Sequence, residues 1–157
     1  MALTTTENKL YIVELAPPFE RLEIQFVPEG VSLSRTAEFA PLAVVGRNVP
    51  RRHFTGGESG LALQLDFYAD SRRRDDVIQK VNWLESLTYA DGGYGPARNV
   101  MLLWGDFLKN RIWVVKSIRA NYSGFHSQFN MLPQQAIVDI QLDADSKKNP
   151  RINDIRR

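Results

Sequence analysis

At 157 residues the chain is the size of one ordinary domain, and 43% hydrophobic with 24% charged residues is the composition of a folded globular protein. It contains no cysteine, which excludes disulfides, thiolate nucleophiles and cysteine-ligated zinc, and its formal charge of +2 is far short of that of a dedicated nucleic-acid binder. No apolar run approaches the roughly 20 residues needed to span a bilayer, and the first eight residues lack the basic start and apolar core of a secretion signal. Synthesis in the cytoplasm without export is expected.

Strand signals begin early. Residues 10–15 and 21–26 alternate apolar and polar positions, which puts Tyr11, Val13 and Leu15 on one face and Leu22, Ile24 and Phe26 on another. Pro17-Pro18 bends the chain between them, since proline has no amide hydrogen to give a ladder. Pro28-Glu29-Gly30 makes the next turn, and residues 31–35 resume an extended course.

Residues 36–60 hold Pro41, Gly46, Pro50, Gly56-Gly57 and Gly60 and show no sustained period. The expectation is a long loop arm that orders against a partner, because loops of this length inside a compact domain are usually functional. Leu61, Leu63, Leu65 and Phe67 then fall on one face of the clearest half-buried strand in the chain.

A single helix follows. Asp70 or Ser71 is placed to cap it, Asp75-Asp76 suit its first turn, and Val77, Val81, Leu84 and Thr88, widened by Ile78 and Leu87, recur at the helical period. Arg72-Arg73-Arg74 at its start opposes the helix dipole, so these arginines are expected to pair with carboxylates of Asp75-Asp76 or of a partner. Turn residues 91–96 end the helix, and strands return at 99–104, 111–122 and 136–142, with 106–110 as a hairpin-like connection. From Ser146 to Arg157 the hydrophobic signal stops, and a flexible basic tail is expected.

The sum is six to eight strands and one helix. The chain reads as a mainly β protein, an antiparallel β-sandwich or barrel with one packed α-helix. Its organisation reads as one domain over 1–145 with an arm at about 36–60, then the tail over 146–157.

Candidate chemistry is sparse. His53 and His126 lie far apart and sit in no metal-ligand spacing. Asp139, Asp143 and Asp145 lack the glycine and distal glutamate of a calcium loop, and outward-facing strand positions account for them better. Asp66 and Asp70 straddle a strand end, where a glycosidase could carry a carboxylate pair. Gly92-Gly93-Tyr94-Gly95-Pro96 precedes a strand and not a helix, so it is a turn and no phosphate cradle. Trp113 beside Arg111 and Tyr122 beside Arg119 are candidates for stacking on bases. No catalytic, cofactor or metal site emerges.

Several segments, in order, resemble the tube-like domain family of contractile injection systems and phage-tail baseplates. Phe26-Val27-Pro28-Glu29-Gly30-Val31-Ser32-Leu33-Ser34-Arg35 is similar to that family's Phe-Asn-Pro-x-x-Tyr-Ser-Ile-x-Arg/Lys segment. Gly56-Gly57 with Leu61-Ala62-Leu63-Gln64-Leu65-Asp66-Phe67-Tyr68 resembles its Gly-Gly and Leu-x-Leu-x-Leu-x-Phe strand. Val100-Met101-Leu102-Leu103-Trp104-Gly105 resembles its Leu-x-Phe-x-Trp-Gly strand end, and 115–122 with Pro133-Gln134-Gln135-Ala136 resembles its last hairpin. Val27 departs from the family's asparagine. About 14 residues follow Asp143, too few for the LysM module that family members often carry, so peptidoglycan binding is not transferred.

The resemblance implies a tail-tube-like fold and a non-enzymatic structural subunit of a phage tail or injection-system baseplate in the virion, without a cofactor. Its partners would be tube, hub and wedge subunits and further copies in a symmetric ring. Arg35, Phe39, Arg47, Arg51, Arg52, His53 and Phe54 of the arm are the expected partner interface. The alternative is a stand-alone nucleic-acid- or ligand-binding β domain.

Overall fold

The computed structural model describes residues 9–16, 18–69, 72–89, 98–108 and 111–145. Seven strands form one antiparallel sheet: β1 (Tyr11–Glu14), β2 (Arg21–Glu23), β3 (Val31–Leu42), β4 (Arg51–Tyr68), β5 (Asn99–Leu103), β6 (Ile112–Ser123) and β7 (Gln135–Ala144). Their spatial order is β2-β1-β5-β6-β7-β4-β3. One helix, α1 (Arg74–Ser86), covers the apolar face. The expected mainly β, antiparallel fold with one packed helix is the fold found.

The core follows from the period-two pattern. Leu61, Leu63, Leu65 and Phe67 of β4 and Ala136, Val138, Ile140 and Leu142 of β7 all point to one side. Val100 and Leu102 of β5, Trp113 and Val115 of β6, and Val77, Val81, Leu84 and Leu87 of the helix segment complete a single cluster. Full burial of each Leu, Val, Ile or Phe is worth about 1.5–3 kcal/mol. Along β6 the inward parity changes. Val115 pairs with Leu142 but Ser117 with Gln141, so Lys116 is an extra residue, and beyond it Ile118, Ala120 and Tyr122 face the core-side residues of β7.

The sheet does not close into a barrel: β2 and β3 are edges. It is nonetheless curled. Gln25, just past the first strand in the order, accepts through Oε1 a hydrogen bond from the backbone N–H of Tyr68 on the sixth, at 2.9 Å. On the helix, Trp83 Nε1 donates to Glu20 Oε2 at 2.9 Å, tying α1 to the start of β2.

Four expectations change. On β1 it is Leu10, Ile12 and Glu14 that are buried and not Tyr11, Val13 and Leu15. Both faces of that strand are apolar in sequence, and the partly buried Glu14–Arg98 ion pair at 2.6 Å, with Glu14 Oε2 also accepting from the Glu20 N–H, goes with the observed face. The strand at 21–26 stops at Glu23, leaving Ile24 buried and Phe26 exposed.

The helix starts later than expected, with Arg73 at its N-cap position and no side-chain cap; Asp70 and Ser71 lie outside the described residues. Arg74 is not at the surface. It is 7% exposed and donates through Nη1 to the carbonyls of Gly124 (2.9 Å) and Leu132 (3.0 Å), with its guanidinium 4.2 Å from the Phe129 ring centre. Backbone carbonyls of the β6–β7 connection, and not carboxylates, therefore receive this charge. The turn at 91–96, residues 109 and 110 and the tail from 146 lie outside the described residues.

Candidate partner interface

The segment expected to be an irregular loop is a β-hairpin. From Val31↔Leu63 to Leu42↔Arg51, β3 pairs continuously with β4, while β4 pairs with β7 only from Gly60 to Tyr68. Residues 51–58 of β4 thus have β3 as their only strand neighbour among the described residues. At about 3.3 Å per residue the hairpin extends some 20–25 Å past the sheet. Its composition hid it: a two-stranded arm with no core to face needs no hydrophobic period. Pro41 is tolerated because β3 is an edge strand.

A bulge sets the faces. Glu38 pairs with Gly56 and Phe39 with Phe54, leaving Thr55 extra on β4, where its Oγ1 donates to the Glu38 carbonyl at 3.1 Å. Gly56 has φ +139, a conformation closed to most side chains. Next to it, a Cβ on Gly57 would come within 2.8 Å of the Thr36 carbonyl oxygen and 2.9 Å of Arg35 Nη2. The Gly-Gly pair is therefore what lets the two strands approach at the root of the arm.

Beyond the bulge, Phe39 and Phe54 stand opposite each other, with ring centres 5.5 Å apart in an edge-to-face arrangement. Both remain half exposed (50% and 54%). Period two places Pro41 and Arg52 on the same face as this pair, and Ala40, Leu42, Arg51 and His53 on the other. The connection at the tip turns on Gly46 (φ +82), with the Arg47 N–H donating to the Val44 carbonyl at 3.3 Å. Val44, Val45 and Val49 are all exposed there.

All seven expected interface residues are exposed. Six sit on the distal arm. Arg35 does not: it lies at the root, where Nη1 donates to Ser59 Oγ at 2.7 Å. Sequence reading missed Leu33 and the three exposed valines, Val44, Val45 and Val49, which lie between Pro41 and Pro50. Residues 38–54 carry three arginines and one glutamate, so the arm presents apolar surface rimmed by positive charge.

The other candidates separate. Trp113, expected as a stacking aromatic, is fully buried in the core, so that element of a base-binding surface is gone. Asp66 accepts from the Gln135 amide through both oxygens (3.0 and 3.2 Å), and its expected partner Asp70 lies outside the described residues. Asp139 and Asp143 face outward on β7, alternating with the core positions. His53 and His126 remain apart: His53 is on the arm, and His126 Nδ1 accepts from the Gln128 N–H at the opposite end of the sheet.

No family model and no curated protein matches the chain. Among solved structures, a chain of the virion of a native gene transfer agent particle is similar over 90% of this chain and 93% of that one, at 14% identity and a TM-score of 0.42. A likeness at that level carries no argument, and the functional reading rests on the arm.

Proposed function

We propose that this chain is a non-enzymatic structural subunit of a phage-type particle, a tail-tube-like component of a tail or injection-system baseplate that links tube or hub to neighbouring subunits as part of a symmetric ring. The observation that carries the reading is the arm. Residues 38–54 place an aromatic pair, three exposed valines and three arginines beyond the reach of the domain's own core. Clustered aromatic and arginine side chains are the residues that dominate protein–protein interfaces, and a projecting apolar surface is unfavourable until a partner covers it. The order of segments shared with the tube-like domain family supports the same reading.

The chain's place in a cryo-electron-microscopy map of the intact particle tests it. The expected result is a ring of copies at the junction of tube and hub, each arm packed against a neighbouring subunit. Absence of the chain from the particle, or arms pointing into solvent, would overturn it.

A further inference from the structure

At the other end of the strand order from the arm, β2 is paired by β1 alone. The Glu14 N–H donates to the Glu20 carbonyl and the Ile24 N–H to the Leu10 carbonyl, each at 2.9 Å. Hydrogen-bonded pairs alternate along an antiparallel ladder, so Glu20, Leu22 and Ile24 turn their main-chain groups toward β1. The N–H and C=O groups of Arg21 and Glu23 therefore point away from the sheet, and among the described residues no strand meets them.

Beside this edge lies an open groove of about 500 Å³ between β2 and α1. Phe19 and Leu22 line its strand side, and Lys80 and Trp83 its helix side. Phe19 has φ +58, a left-handed backbone that a bulky side chain seldom adopts, and 63% of the residue is exposed. A strained backbone that turns an aromatic ring outward works against the isolated fold and in favour of a partner.

The charges of the site are unbalanced. Glu20 Oε2 already accepts from Trp83 Nε1, and Glu23 is held by Lys9 at 2.7 Å. Arg21 lies 5.1 Å from the Tyr11 ring centre and Lys80 5.9 Å from that of Phe67. Among the described residues neither of these two cations forms a salt bridge.

We propose that β2 takes up an added strand, an extended acidic segment of a different protein, with an apolar side chain seated in the groove between Leu22 and Trp83. Main-chain bonds to Arg21 and Glu23 hold such a strand, and the groove and the cations select it. A second copy's arm does not fit, because residues 38–54 carry three arginines against one glutamate. The proposal stands apart from the reading of the arm and does not depend on it.

The register defines the segment. Directly opposite residues of neighbouring strands share a face, so the residue opposite Leu22 enters the groove and is apolar. The residue opposite Arg21 lies on the other face, beside that guanidinium, and is acidic. Lys9 holds the Glu23 carboxyl below its ordinary pKa, and Lys80 and Arg21 add to the effect. Trp83 instead reaches Glu20, so Lys80 stands toward the Glu23 end of the groove. The residue opposite Ile24 returns to the groove side there and is acidic too, while the one opposite Glu23 is neutral. Read along an antiparallel strand, the pattern is acidic, neutral, apolar, acidic.

An amide NMR titration of the purified full chain tests this, with the blocked synthetic peptide Thr-Thr-Glu-Thr-Phe-Glu-Thr-Thr as probe. At millimolar peptide the Arg21 and Glu23 amides and the Trp83 indole should shift saturably, and the Leu22 amide, already turned to β1, should shift less. The same peptide with lysine for glutamate should leave these signals in place. Lys80→Glu should weaken the glutamate peptide about fivefold, the size of reversing one exposed charge pair, and admit the lysine peptide. Phe19→Gly, which suits the left-handed backbone, should keep the fold and lose binding.

Equal shifts with both peptides, shifts confined to the arm, or no shifts at all would overturn the proposal. So would a Lys80→Glu variant that binds the glutamate peptide as tightly as wild type. Each of these results leaves the structural role standing, because that role is read from the particle and not from this edge.

Discussion

The Tyr68 N–H donates to Gln25 Oε1 at 2.9 Å, and this bond joins two parts of the sheet separated by the whole run from β2 to β4. Trp83 Nε1, donating to Glu20 Oε2, adds a second contact between distant parts of the chain. Gln25→Ala should cost about 1 kcal/mol, the ordinary net worth of one hydrogen bond. Chemical denaturation should show that loss, with faster amide exchange at Tyr68. An unchanged exchange rate there would mean the curl is held by the core alone.

Arg74 should be worth more. Its two carbonyl contacts and its stacking on Phe129 tie the start of α1 to the β6–β7 connection, and the side chain is nearly inaccessible. Arg74→Ala leaves both carbonyls without their donor and opens a void, for an expected loss of about 2–4 kcal/mol. Arg74→Lys keeps the charge but not the planar fork and should lose about half as much. Urea midpoints of the two variants decide the matter; equal losses would show that charge and aliphatic stem contribute nothing without the guanidinium fork.

Gly57 gives a prediction confined to the arm. A methyl group there meets the Thr36 carbonyl at 2.8 Å, and backbone cannot swing aside as the Arg35 side chain can. Gly57→Ala should loosen the hairpin by about 1–3 kcal/mol, the cost of overpacking. Hydrogen exchange should rise through β3 while the core strands β4 (from Leu61) and β7 stay protected. Uniform loss of protection would place Gly57 in the cooperative core instead.

Tyr122 supplies a pH test. Burial raises its pKa above the ordinary 10.0, and the nearby Glu85 charge adds to the effect. A raised value means the fold prefers the neutral phenol. Its contribution to stability is therefore complete below the unfolded pKa and is lost as pH rises through the folded one. Absorbance titration should show a tyrosine ionising above the ordinary value, and Tyr122→Phe should remove that late step. If the late step survives the substitution, it belongs to another tyrosine.

Much of the fold was legible because β4 and β7 bury one face only, and strict alternation at Leu61–Phe67 and Ala136–Leu142 leaves one solution. β1 was misread because Tyr11, Ile12 and Val13 are all apolar, and the deciding contact, Glu14 with Arg98, spans residues far apart in sequence. Arg74 could not be recognised from Arg72-Arg73-Arg74, since its acceptors are carbonyls some fifty residues away. The arm at 36–60 was read as a loop and not as two strands: with no core to face, Phe39 and Phe54 carry no periodicity, and their pairing depends on the extra residue at Thr55.

The most direct test of the arm as an assembly surface is to compare wild type with F39A/F54A for incorporation into the particle and for sedimentation of the purified protein. Both rings are half exposed, so the variant should keep its circular dichroism and lose little stability. Interface anchors of this kind are worth about 2 kcal/mol or more each, so association should weaken by at least about 30-fold. A folded variant that is depleted from particles and shifted to monomer is the predicted result. A folded variant that enters particles and sediments like wild type would contradict the account.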